Sequence, residues 1–92
     1  MAFDTSSLGL APRGFCGRVH SIAVDETASP LPKAEMERRL IELGFVEGAE
    51  VALLHEGLFG RDPIAVRVGG ATGGTTVALR RREAMAIRVQ PV

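Results

Sequence analysis

Cys16 and His20 stand four residues apart, and His55 is followed directly by Glu56. Thiolate, imidazole and carboxylate are the donors that hold zinc or ferrous iron. On a strand, positions i and i+4 share a face but lie roughly 13 Å apart, too far for one ion. Cys16 and His20 therefore qualify as metal ligands only if a bulge draws them together. A buried, structural Cys16 beside exposed histidines is the simpler expectation. Nucleophilic catalysis needs a nucleophile, a base and a group that orients the base. With His20 and His55 the only histidines, no such set can be assembled, so no enzyme and no cofactor are expected.

Two glycine pairs, Gly69-Gly70 and Gly73-Gly74, could cradle a phosphate. A phosphate loop requires a helix N-terminus directly after it, and a P-loop also requires Gly-Lys-Ser/Thr. Neither follows, which points to a hairpin. Arg80-Arg81-Arg82, with Arg88 nearby, is the one basic cluster and could meet RNA or an acidic protein surface. Stacking of single-stranded bases needs aromatic rings, and the chain has four Phe, no Tyr and no Trp. Leu43-Gly44-Phe45 and Leu58-Phe59-Gly60 place bulky apolar side chains in turns, where neither strand nor helix pattern assures burial. Unless these residues plug the barrel ends, Leu43, Gly44, Phe45, Leu58, Phe59 and Gly60, with Arg80 and Arg81, form the candidate partner surface.

These residues must be positioned by a single small domain of 92 residues. Eleven basic and eleven acidic residues balance, unlike the net basic face of most nucleic-acid binders. The first residues lack the basic and apolar regions of a secretory signal, and no apolar run approaches the roughly 20 residues of a membrane span. One cysteine cannot form an internal disulfide. A cytoplasmic protein is expected.

Residues 1–13 show no periodicity and read as a loosely ordered lead-in, from which Leu8 and Leu10 could dock on the core; residues 14–92 form the domain. In the strand-like segment 14–24, Phe15 and Val19 have one parity and Ile22 and Val24 the other, which predicts a bulge or bend near Gly17 or Ser21. Residues 25–32 read as a loop. Met36, Leu40 and Leu43 make one stripe of a helix from Pro32 or Lys33 to Leu43. Pro32 suits its first turn, and Gly44 suits the left-handed position beyond its end. Further strands are expected at 51–55, 63–68, 77–80 and 86–89. Val51, Leu53 and His55 should share one face, residues 57–62 should form a loop, and 81–85 a single helical turn. The sum is a mainly β protein of about five antiparallel strands, closed into a small barrel, with one α-helix between the first two.

The run from Arg39 to Gly48, Arg-Leu-Ile-Glu-Leu-Gly-Phe-Val-Glu-Gly, resembles the R-L-x-x-L-G-[LF]-x-x-G signature of the FeoA family, which serves bacterial ferrous iron uptake. Leu58-Phe59-Gly60-Arg61-Asp62-Pro63-Ile64 is similar to that family's loop ending in D-P-I, and 77–84 to its A-L-R-x-x-E-A close. The chain departs from the pattern at Glu47, where the family often has Pro, and in the long link between Val68 and Val77. No helix-turn-helix pattern precedes the domain, so the resemblance implies the stand-alone form. It also implies an SH3-like barrel and a non-catalytic accessory role. The expected partner is the cytoplasmic part of the FeoB-type GTPase permease, with membrane contact only through that permease. An RNA- or ribosome-associated module using Arg80–Arg82 is the alternative, and a metal chaperone or sensor using Cys16 and His20 the third.

Overall fold

The computed structural model describes residues 5–70 and 73–92. Six antiparallel strands make one sheet: β1 (Ser6–Ser7), β2 (Cys16–Ile22), β3 (Glu50–Phe59), β4 (Asp62–Val68), β5 (Thr75–Leu79) and β6 (Ile87–Pro91). Their order is β1-β6-β2-β3-β4-β5. Helix α1 (Lys33–Glu42) joins β2 to β3, and a single turn, α2 (Arg81–Ala84), joins β5 to β6. The curled sheet and α1 enclose one core built from Val19, Leu40, Phe45, Leu53, Ile64, Val66, Leu79, Ile87 and Val89, among others. Among the described residues the barrel is not hydrogen-bonded shut, contrary to the closure expected. Among the described residues β5 has β4 on one side and no strand on the other.

Burial rather than propensity holds α1. Met36 and Leu40 are fully buried and Leu43 packs against the core. The helix stops as its sequence dictates. Gly44 takes φ +109°, its N–H donates to Ile41 O at 2.9 Å, and the Phe45 N–H donates to Leu40 O at 3.0 Å. These two bonds are a Schellman motif, which brings the residue after the glycine against the helix's last turn. That geometry carries Phe45 into the core beside Leu40, so Phe45 is not the surface residue its turn location allowed.

Bulges resolve the parity conflicts. The β2–β6 register shifts between Val19 and Ser21, where a bend was expected, so Val19 points inward before it while Ile22 packs on the core after it. Gly17 and Val19 take the inward positions, which turns Cys16 outward and exposes it, against the expectation of a buried thiol. The β3–β4 register shifts between Leu53 and His55. The extra residue breaks the alternation read from the sequence: Val51 and Leu53 are buried, but His55 is exposed and Glu56 turns partly inward.

Two segments are more ordered than expected. Residues 57–62 are not a loop, since β3 runs to Phe59 and β4 starts at Asp62. Only Gly60 (φ +67°) and Arg61 (φ +59°) form the turn, a type I′ hairpin. A second register shift falls between Glu56 and Phe59, and there a Cβ on Gly57 would collide with the Asp62 carbonyl. Nor is the described part of the lead-in loose. Ser6 and Ser7 pair with Val89 and Arg88. Leu8 is wholly buried in a 3-10 turn (Leu8–Leu10), while Leu10 points to solvent. Of the long Gly/Thr link, residues 71–72 lie outside the described residues.

Candidate functional site

The β3–β4 hairpin is the most prominent surface feature. Leu58 is 96% and Phe59 89% exposed, consecutive residues at the end of β3 next to its turn. Leu10, on the neighbouring 3-10 turn, is 70% exposed. Gly9, Leu10, Gly60, Arg61 and Arg81 line an open depression of about 180 Å³ between the two segments. Exposed single leucines are ordinary in folded proteins, but adjacent bulky side chains this bare are not.

The hairpin stands on a network centred on Arg81. Its Nε donates to Arg61 O at 2.8 Å, in the turn, and its Nη1 donates to Ala11 O at 2.8 Å and Gly9 O at 3.2 Å. The Arg81 backbone N–H donates to Asp62 Oδ1 at 2.8 Å, across the base of the turn. Glu56 Oε2 lies 3.4 Å from Arg81 Nη2, a buried atom that has no hydrogen-bond partner among the described residues. The same oxygen accepts from Arg61 Nε at 2.8 Å, and Glu56 Oε1 accepts from the Arg13 N–H at 3.3 Å. The hydrogen bond from Arg61 chiefly holds the Glu56 carboxyl below its ordinary value. The Arg61 charge, the Arg13 N–H and the Arg81 charge act in the same direction, against partial desolvation. One guanidinium thus pins the N-terminal segment, α2 and the hairpin turn together.

The expected surface residues are therefore divided. Leu58, Phe59, Gly60 and Arg80 are exposed. Leu43 and Gly44 are half-buried at the end of α1 and Phe45 is core. The Arg81 side chain, only 17% exposed, is internal structure. The basic cluster is correspondingly smaller than its sequence: Arg80 and Arg82 remain at the surface, while Arg81 points away into the network. Glu56, considered in the sequence only as a metal donor, and Leu10, expected to dock on the core, were not placed at this site. The first depended on a bulge that period-2 reading could not locate, the second on a 3-10 turn with no period to read.

Cys16 and His20 are both exposed. Cys16 Sγ lies 3.7 Å from Gly14 O, and His20 Nδ1 lies 3.1 Å from Ser21 Oγ. Among the described residues no three His, Cys, Asp or Glu side chains converge as metal ligands. Among the described residues no helix is long and apolar enough to cross a membrane.

The curled antiparallel sheet with a helix between β2 and β3 has the architecture of an SH3-like domain. The FeoA domain model matches residues 7–91, and the chain belongs to the FeoA family. Among solved structures it is similar to the FeoA of Stenotrophomonas maltophilia, solved with zinc, at 33% identity and TM-score 0.70, covering 91% of this chain and 88% of that one. That protein is described as a prokaryotic SH3 domain protein and a candidate activating factor of bacterial ferrous iron transport. The FeoA of Chlorobium tepidum is 31% identical at TM-score 0.70, covering 94% of this chain and 70% of that one. A manganese-dependent transcriptional repressor also matches, at 25% identity and TM-score 0.76, over all of this chain but 39% of the repressor. No curated protein matches the chain significantly.

Proposed function

We propose that this protein is a cytoplasmic, non-catalytic accessory factor of ferrous iron uptake that docks on the cytoplasmic part of an FeoB-type permease through the Leu58–Phe59 hairpin tip. One observation carries the reading: two consecutive bulky apolar residues, almost fully exposed, at the end of β3 beside a braced two-residue turn. Leaving them in water forgoes roughly 1.5–3 kcal/mol each relative to burial. A partner's apolar cleft recovers that free energy. The turn is fixed beforehand by Arg81, so little ordering entropy opposes docking.

Co-purification with the cognate full-length permease tests the proposal. Wild-type protein should be retained. Phe59→Ala should lose retention by a factor of about ten or more, as expected of a buried aromatic anchor, at unchanged thermal stability. Equal retention of both proteins would move the contact off the hairpin, and retention of neither would reject the permease as partner.

A further inference from the structure

Sheet edges attract other strands, because their outward N–H and C=O groups lack partners. Proteins usually blunt such edges with Lys, Pro, a bulge or a covering segment. β1 is protected by being two residues long. β5 is not. It pairs with β4 in an unbroken register from Val68–Thr75 to Ile64–Leu79, and it contains no charge, no proline and no bulge. Among the described residues, no backbone hydrogen bond outside the β4 ladder involves Thr75 to Leu79. Thr75, Thr76 and Ala78 are exposed, and Gly73 and Gly74 before them have no side chains to block an approaching backbone.

An arginine stands at each end of this edge. Arg80 follows the strand and is exposed. Arg67 is exposed and lies opposite Thr76. Its side chain reaches over Gly74, where a Cβ on that glycine would fall 3.0 Å from Arg67 Nε. Among the described residues neither guanidinium has a carboxylate within ion-pair distance; the four ion pairs use Arg18, Arg39, Arg61 and Arg81. A second copy of the chain fits this edge poorly. Antiparallel self-pairing centred on Val77 would set Arg80 of one copy opposite Gly74 of the other, beneath Arg67, and like charges so placed repel.

We propose that β5 accepts an extended segment of another protein as an added antiparallel strand, with a carboxylate at each end of the segment meeting Arg67 and Arg80. Main-chain bonds would supply affinity and the two arginines register and selectivity. The site does not depend on the hairpin reading, and its test needs no permease.

The probe is the peptide Glu-Val-Thr-Val-Thr-Val-Glu, with Lys replacing both Glu in the control, titrated into the full chain while backbone amide shifts are followed by NMR. Shifts confined to β5 and its margins, with roughly tenfold tighter binding of the Glu peptide, are expected. In the doubly substituted Arg67→Glu, Arg80→Glu protein, both sites being exposed, the amide spectrum should stay folded and the preference should invert toward the Lys peptide. Absence of β5 shifts with either peptide, equal affinity for both, or shifts centred on the hairpin tip would overturn the proposal. Concentration-dependent β5 shifts without peptide would overturn it in favour of self-pairing.

Discussion

Arg81 sits in the middle of a three-arginine run, yet its side chain is built into the fold. It donates to three backbone carbonyls and faces Glu56. Arg81→Ala should therefore destabilise the domain by about 2–3 kcal/mol, since the part-buried carbonyls of Gly9 and Ala11 and the exposed carbonyl of Arg61 lose their donor and Glu56 loses one of two cations. Arg81→Lys keeps the charge but not the fork and should recover only part of that. Arg80→Ala, at an exposed neighbour, should change stability by less than about 0.5 kcal/mol. Chemical denaturation of the three variants checks the contrast. Glu56 adds a pH signature. Its folded-state value is lowered, chiefly by Arg61, so its contribution is complete above the unfolded glutamate value of about 4.3 and is lost as pH falls through the folded one. Glu56→Gln should remove that part of the acid-side loss seen in the wild type, and urea midpoints between about pH 6 and 3 would show it. Asp25, held low by Thr27, contributes separately and is unaffected by the substitution. None of this was legible in the residue run 80–82. The identity of the inward arginine depends on where the turn of α2 begins, and that of Glu56 on a bulge.

Elements with a clear period were legible, and those defined by tertiary pairing were not. The stripe Met36, Leu40, Leu43 and the glycine after it mark α1 and its end correctly. The parity change in β2 announces its bulge. The same Leu40–Gly44–Phe45 spacing also encodes Phe45 burial, because a Schellman motif pairs those two side chains. Ser6–Leu10 carries no period and takes its structure from β6 and α2. Ser7 Oγ donates to Met85 O at 2.6 Å, closing the C-terminal end of α2. Leu8→Ala should thus cost about 2–5 kcal/mol as a core truncation, although the residue lies before the first periodic strand. Leu10→Ala should leave stability within about 0.5 kcal/mol. Thermal denaturation separates the two, and equal small effects would mean that the N-terminal segment is dispensable to the fold.

At the scale of the whole molecule, the ends of the barrel matter more than its walls. The mainly antiparallel class and single core were within reach of the sequence because alternation at 63–68 and the helix at 33–42 leave few arrangements of a chain this short, whereas the strand order and the pairing of β1 were not read. Which end is bare was not, since exposure of Leu58 and Phe59 follows from a two-residue I′ turn where a six-residue loop had been expected. The resulting body is an SH3-like barrel of the FeoA family with a braced apolar tip. The proposed docking sets this tip against the permease. A photo-crosslinking benzophenone residue placed at position 59, in cells expressing the cognate permease, tests it most directly, with the same probe at exposed His55 as the comparison. Crosslinks from position 59 to the permease's cytoplasmic region, and few or none from position 55, are the predicted result. Crosslinks from position 55 alone, or from both positions to unrelated proteins only, would contradict it.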